Sequence, residues 1–286
     1  MFDIAIPFPN INPNAIEISA FQLFGQGLGP FAIRWYALAY IAGIIIAWYI
    51  LAKLAKSTKL WATETAPFNA ENIDDFIFYA TLGILIGGRL GYAFLYAPQM
   101  FAEPISILRT WEGGMSFHGG IAGVFLAVIG VSLSKKVPLI SLADAVALAS
   151  PLGIGLVRVT NFVNQELWGR PTDVPWAIIF AKDKPALPRH PSQLYEAMCE
   201  GFLLFGVLWF AVYKLQSLKK PGLTAGLFIS LYALARIGLE NLREPDASLI
   251  LGLTRGMLYS IPLLALGIGF LIYSLKPSKT DKLARN

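Results

Sequence analysis

Seven stretches of the chain, near 31–53, 73–97, 117–134, 141–163, 193–214, 222–242 and 255–275, are dominated by apolar residues. A run of about 20 such residues spans a bilayer as a helix. The period-2 alternation expected of a transmembrane β-strand is weak in all of them, which argues against a barrel. The pattern predicts an all-α polytopic membrane protein of about seven transmembrane helices. No repeat of fixed period is visible, so the usual sign of an inverted-repeat transporter is missing. The whole of 1–286 reads as a single integral membrane domain.

Between the spans the polar positions are unevenly distributed. Lys53, Lys56 and Lys59 follow the first span, Lys135 and Lys136 the third, and Lys214, Lys219 and Lys220 the fifth. Lys276, Lys279, Lys282 and Arg285 follow the seventh. The positive-inside rule then puts the N-terminus outside and the C-terminus in the cytoplasm. The loops on the other side are longer and of mixed sign. Residues 98–116 mix apolar and charged positions, as expected of a segment lying in the outer interface. Residues 164–192 carry proline, tryptophan and both charge signs, and predict a small outward-facing cap. Within the cap, the run from Pro175 to Phe180 reads as a short strand in search of a partner. The proline-rich N-terminus lacks the basic region and compact apolar core of a cleavable signal.

Composition sharpens this picture. The chain of 286 residues is 56% hydrophobic and 14% charged, against about 25% charged in soluble domains. Its formal charge of +5 comes from orientation signals rather than from a nucleic-acid face. The single cysteine, Cys199, sits in an apolar stretch and reads as a small core residue; it excludes an internal disulfide or a cysteine-rich metal site. Two histidines exclude a histidine-rich metal centre, and no nucleotide fingerprint is present. No metal and no cofactor are expected.

The arginines behave differently from the lysines. Arg34, Arg89, Arg158 and Arg236 lie in the outer parts of spans, and Arg109, Arg170, Arg189, Arg243 and Arg255 in outward segments. An arginine at membrane depth costs several kcal/mol unless it meets a partner or an anion, and its planar fork matches phosphate. Three constellations stand out. In the first, His118, Gly119 and Gly120 open the third span, where the glycines permit close approach and the helix dipole favours a neutral imidazole suited to a base; a glycine-packed helix contact explains them equally well. In the second, Arg158 and Asn161 share a helix face that Asn164 continues, with Glu166 at the helix end and Gly169 beyond it. One arginine, two amides and one carboxylate on neighbouring surface are costly in lipid unless they meet a polar ligand, the alternative being a purely structural hydrogen-bond network between helices. The third, Arg236, Glu240 and Arg243, is spaced along the sixth span, and two arginines to one acid leave a positive surplus fit for an anion, unless they form only an ion-pair ladder. Tyr36 at the start of the first span, His190, and Ser192 as an N-cap of the fifth complete the set, with Arg89 among glycines against a neighbouring helix.

Six motifs occur in one order along the chain: RWYALAY at 34–40, GGRLGY at 87–92, GGMSFHGGIAG at 113–123, RVTNFVNQELWGR at 158–170, RHPSQLYE at 189–196 and ARIGLENLREPD at 235–246. In this they resemble the bacterial prolipoprotein diacylglyceryl transferases. The resemblance implies a seven-span enzyme of the bacterial inner membrane with its active site toward the outer leaflet. Such an enzyme moves the diacylglyceryl group of phosphatidylglycerol onto the lipobox cysteine of a prolipoprotein, forming a thioether and releasing glycerol 1-phosphate. It assigns Arg158 and Arg236 to the lipid phosphate and His118 to the catalytic region, and brings Tyr36, Asn161, Glu166, Glu240 and Arg243 into the essential set. Catalysis is expected from His118, Arg236 and Glu240, and phosphatidylglycerol binding from Arg158, Arg236, Asn161, Tyr36 and Arg243. Glu166, Gly169, Gly119, Gly120 and His190 support them. Three positions depart from the family pattern: Thr160 where glycine or alanine is usual, Gln165 where glycine is usual, and Thr254–Met257 where a serine–x–glycine–glutamine run is common. The thiolate would be raised by His118 as a base or by the field of Arg236, and the sequence does not rank the two. The rival from another class, a transporter or flippase for an anionic lipid or solute, would also need outer arginines.

Overall fold

A computed structural model describes residues 5–24, 26–110, 113–245 and 248–276. The long helices arise where the apolar runs are long enough to satisfy every backbone group internally, which a bilayer requires. In chain order the elements begin with strands β1 (Ile6–Pro7), β2 (Asn14–Ile18), β3 (Phe21–Leu23), β4 (Gln26–Leu28) and β5 (Phe31–Arg34). Helices α1 (Trp35–Lys56), α2 (Ala70–Leu95), α3 (Ile105–Leu108), α4 (Phe117–Lys135) and α5 (Leu139–Val163) follow. The cap strands β6 (Ile178–Ile179) and β7 (Pro188–Arg189) lead into α6 (Ser192–Glu196), which continues through a π-helical turn at Ala197–Leu203 into α7 (Leu204–Tyr213). The last helices are α8 (Leu223–Leu239) and α9 (Arg255–Ser274).

Among the described residues six helices are long and apolar enough to cross a membrane, α6 through α7 counting as one, and α8 is a seventh, shorter apolar helix. Each of the seven expected apolar runs is therefore helical, although only six reach spanning length. The sixth is shorter than expected: α8 starts after Gly222, which has φ +92°, and stops at Leu239. Lys279, Lys282 and Arg285 fall outside the described residues.

Two ends of the bundle differ in chemistry. At the lysine-rich end, Lys135 closes α4 on Asp75 of α2 at 2.5 Å, and Trp48 Nε1 donates to Asp74 at 2.8 Å. Here too Asp144 of α5, wholly buried, accepts from the backbone N–H groups of Gly222 and Ala225 at 2.7 Å each. It caps the start of α8 from a neighbouring helix and meets otherwise orphaned donors. The core, built on Leu51, Leu54, Ile73, Leu142, Leu148 and Leu208, lies toward this end.

The opposite end is built from loops. The Pro175–Phe180 run does find strand partners: β6 pairs in parallel with β1 and antiparallel with β7. Phe8, Phe162, Trp168 and Phe180 form the aromatic centre of this cap, with centroids 5.2 to 5.8 Å apart. The N-terminal strands are an addition to the all-α expectation; β2 pairs antiparallel with β5, and β3 with β4.

Helices α2 and α4 pack through glycine. A Cβ on Gly119 would fall on the Gly87 carbonyl, whereas one on Gly120 would meet nothing closer than 3.8 Å. In the HGG motif Gly119 makes the close backbone contact, whereas Gly120 has room for a Cβ. Gly119→Ala should cost about 1–3 kcal/mol through overpacking and Gly120→Ala well under that, read as thermal unfolding in detergent.

Candidate active site

The site forms where α5, the α6–α7 helix and α8 meet at the cap end. A Cβ on Gly201 would come within 2.5 Å of Gly155 Cα, so α5 and the π-helical turn touch nearly backbone to backbone. One turn beyond Gly155 stands Arg158; beside Gly201 stands Glu200, with Glu196 four residues earlier. A π turn widens the helix by an extra residue and is common at functional sites. Here it lies beside the two carboxylates facing α5 and α8.

Both carboxylates are wholly buried. Glu196 Oε1 accepts from Arg236 Nη1 at 2.8 Å and from Arg243 Nη1 at 3.2 Å. Its Oε2 lies 3.0 Å from Arg158 Nε, an ion pair lacking hydrogen-bond alignment. Glu200 Oε2 takes Arg158 Nη2 at 3.3 Å and its Oε1 meets Arg236 Nη1 at 3.5 Å. Glu240 Oε1 holds Arg236 Nη2 at 2.6 Å. Tyr232 stands one turn before Arg236 on α8, within electrostatic range of all four groups Glu196, Glu200, Arg158 and Arg236.

These contacts correct the sequence reading. Glu240 and Arg243 do not continue a helical stripe: Glu240 caps α8, and Arg243 lies past its end, bridged to Gly169 of the cap. The surplus of two arginines over one acid is offset by Glu196 and Glu200. Arg158 and Asn161 share a helix yet serve different partners. Asn161 Nδ2 donates to Glu166 Oε1 at 2.7 Å, and Asn164 Nδ2 reaches the same atom at 3.3 Å.

Around this cluster the cap is held by backbone. Gly169 lies against His190 Cβ and the Leu242 carbonyl, where a Cβ would meet both at 2.5 and 2.6 Å. Its N–H donates to the His190 carbonyl at 2.9 Å. Ser192 is not the N-cap expected; its hydroxyl donates to the Leu167 carbonyl at 3.0 Å, and Gln193 Nε2 donates to the Glu166 carbonyl at 2.6 Å. Gln165 adopts φ +53°, a left-handed conformation that glycine takes without strain. Its side chain accepts from the Lys182 N–H at 3.2 Å, and the Lys182 amine donates to the Asn164 carbonyl at 2.7 Å. Thr160 hydrogen-bonds back to the Val157 carbonyl at 2.7 Å, and Thr254 caps α9 through the Met257 N–H at 3.1 Å. Gly256 gives α9 room to pass against Glu240.

Several arginines stabilise the loops. Arg189 pairs with Asp183 at 2.6 Å and Glu244 at 3.1 Å and lies over the Trp168 ring; the Asp183 hydrogen bond raises its already high pKa. Arg170 Nε donates to the Arg243 carbonyl at 3.0 Å. Arg89 is buried, and its guanidinium donates to the carbonyls of Ser106, Ile107, Arg109, Gly113 and Gly114 rather than packing only against a neighbouring helix. The Ser116 N–H donates to the Gly88 carbonyl at 2.8 Å, and the Ser116 side chain caps α4 just before His118.

His118 is exposed, edge-on to Tyr259 of α9 at 5.4 Å and within range of the Arg236 charge. Tyr36 packs on Tyr40 at 5.3 Å, and Tyr40 in turn feels Arg158. The structure thus gathers Arg158, Arg236, Glu240, Arg243 and, at the edges, His118 and Tyr36; His190, Gly169 and Glu166 brace the cap. Cys199 is half-buried on the π turn rather than in the core. Glu200 escaped the sequence reading, and Glu196 entered it only as the last residue of the RHPSQLYE run, although two acids four residues apart inside an apolar run were a signal for both.

Burial lowers the pKa of His190, more than Asp173 raises it. The unfolded cap then binds the proton more tightly, so cap stability rises with pH and is lost as pH falls below about 6.5. Protection factors over residues 164–191, that is hydrogen exchange corrected for its intrinsic pH dependence, should fall as pH drops from about 7.5 to 5.5, and His190→Asn should remove that fall.

The comparisons with known proteins point the same way. The family described as prolipoprotein diacylglyceryl transferase matches residues 24–273. The chain belongs to the prolipoprotein diacylglyceryl transferase family. It is 46% identical over 277 residues to the phosphatidylglycerol–prolipoprotein diacylglyceryl transferase of Phenylobacterium zucineum, covering 92% of each chain. It is 47% identical over 279 residues to the Bradyrhizobium diazoefficiens enzyme of the same name, covering 96% of this chain and 95% of that one. A third relative so named, from Mesorhizobium japonicum, is 47% identical over 270 residues, with 92% and 91% covered. This member of the family is a multi-pass membrane protein.

Proposed function

We propose that this chain transfers the diacylglyceryl group of phosphatidylglycerol to the lipobox cysteine thiol of prolipoproteins, the first step of bacterial lipoprotein maturation. The observation that carries the reading is the pairing of Arg158 with Arg236. Their side chains keep 12% and 13% of their surface open, while the carboxylates Glu196 and Glu200 beneath keep at most 1%. Among the described residues, the hydrogen bonds of Arg158 use Nε and Nη2 and those of Arg236 use Nη1, so Arg158 Nη1 and Arg236 Nε remain as donors for a phosphate.

The phosphodiester binds at those open guanidinium edges, with Asn161, Tyr36 and Arg243 around it. The thiol of the peptide gives up its proton and its sulfur attacks the glycerol carbon that bears the phosphate. A C–S bond forms, the C–O bond breaks, and the oxygen leaves with glycerol 1-phosphate. Arg158 and Arg236 neutralise the charge growing on that leaving group. A free thiol has a pKa near 8.5, so about a few per cent is thiolate at neutral pH. His118 takes the proton, with Arg236 supplying a field beside it, and Glu240 orients Arg236. The nucleophile belongs to the substrate, so Cys199 needs no role.

The lysine end faces the cytoplasm and the cap end the outer leaflet of the inner membrane, where prolipoproteins and lipid meet. Residues 98–116 lie in the interface: Phe101, Ile105 and Leu108 expose 49%, 56% and 67% of their surface. Residues 164–192 close over the site as a cap within one membrane domain. Incubating the purified protein with phosphatidylglycerol and a lipobox peptide tests the activity. The expected product carries one diacylglyceryl group on its cysteine, and the peptide with serine in that place stays unchanged; an unmodified cysteine peptide rejects the reading.

A further inference from the structure

Three guanidiniums from separate parts of the chain stand within reach of one buried carboxylate. Arg158 comes from α5, Arg236 from α8, and Arg243 from the turn after α8; Glu196 meets all three, at 3.0, 2.8 and 3.2 Å. Like charges at such spacing repel strongly where little water screens them. Removing one member of a buried ion cluster is costly because the others are left uncompensated. Something must therefore hold the two phosphate-facing arginines side by side, and it must do so from beneath, leaving their outer edges open. Glu196 has that position: its own side chain keeps 1% of its surface, and Oε1 and Oε2 face different helices. Glu200 reinforces it with longer contacts, 3.3 Å to Arg158 and 3.5 Å to Arg236.

We propose that Glu196 is a positioning residue for the transfer: it ties Arg158 to Arg236 and sets the spacing at which they receive the phosphodiester. It does not touch the reacting atoms. The inference rests on the phosphate role given to these arginines above. Its consequence is specific to one substrate. A residue that sets arginine spacing governs every ligand that presents a phosphate there and leaves the thiol peptide alone, whereas a residue that only packs the bundle affects both or neither.

The test uses the full-length protein in detergent–lipid micelles with three measurements: KM for phosphatidylglycerol, KM for a lipobox peptide, and inhibition by glycerol 1-phosphate. In Glu196→Gln, which keeps the shape and removes the charge, KM for phosphatidylglycerol and the inhibition constant should each rise by about 30-fold. The peptide KM should stay within about twofold, as expected where the altered interaction is not shared. Glu196→Asp, which keeps the charge and withdraws it from the arginines, should move the same two constants in the same direction by less. If Glu196→Gln does not fold, the aspartate variant decides by the same pattern. Phosphate-dependent constants within about threefold of wild type, or a peptide KM that moves equally, would overturn the inference. Wild-type protein runs alongside: if it does not transfer at all, the proposed function fails, whereas active wild type with an unaffected glutamine variant removes only the role of Glu196.

Discussion

Arg158→Lys should lower diacylglyceryl transfer by about 100-fold or more while the protein stays folded. Charge alone would forecast a mild effect, since lysine keeps it. Geometry forecasts a severe one. Arg158 directs Nε toward Glu196 and Nη2 toward Glu200 while Nη1 remains for a ligand. An ammonium has one nitrogen for all three tasks. If it stays on the carboxylates the phosphate loses its partner, and if it turns to the phosphate the buried acids are left unpaired. Activity within about tenfold of wild type would mean that a point charge suffices and that the fork is not used.

The second large effect concerns His118. His118→Asn should reduce turnover by about 100-fold near neutral pH, the range typical for loss of a general base. Asparagine keeps a polar side chain at the start of α4 but cannot accept the proton. Because the substrate thiol ionises unaided near pH 8.5, the deficit should shrink as pH rises toward about 9. A deficit that stays constant across that range would instead make His118 an orienting group, with the thiolate raised by the Arg236 field. His118 is an exposed residue whose ring meets Tyr259 edge-on at 5.4 Å.

Much of the architecture was legible because a bilayer imposes a single strong rule: long apolar runs become helices. The lysine clusters likewise marked one end of the bundle, where Lys135 meets Asp75. What the rule does not address was less legible. The strands near the N-terminus are two to five residues long, and β1, β2 and β5 are mostly exposed, so no core face repeats often enough to betray them. The π turn at Ala197–Leu203 leaves no compositional mark, yet it sits beside the carboxylates that gather the arginines.

The candidate site was half legible for a related reason. Arginines in lipid demand an explanation, so Arg158 and Arg236 drew notice at once, while the two carboxylates they share, Glu196 and Glu200, lie within the apolar run of the fifth span. Spacing alone also overstated continuity: Arg243 looked like the next rung after Glu240, but α8 ends at Leu239 and Arg243 reaches Glu196 from a turn. Arg89 and Arg189 satisfy loops and carboxylates, so an outward arginine was not by itself a sign of phosphate binding.

The most direct measurement follows both products at once. Wild-type protein and Arg158→Lys are reconstituted with phosphatidylglycerol and a lipobox peptide, and peptide mass and released glycerol 1-phosphate are followed together. The expected result is equimolar appearance of diacylglyceryl peptide and glycerol 1-phosphate with wild type, and near-absence of both with the variant. Peptide lipidation without matching glycerol 1-phosphate, or equal rates from the two proteins, would contradict the phosphate-clamp mechanism.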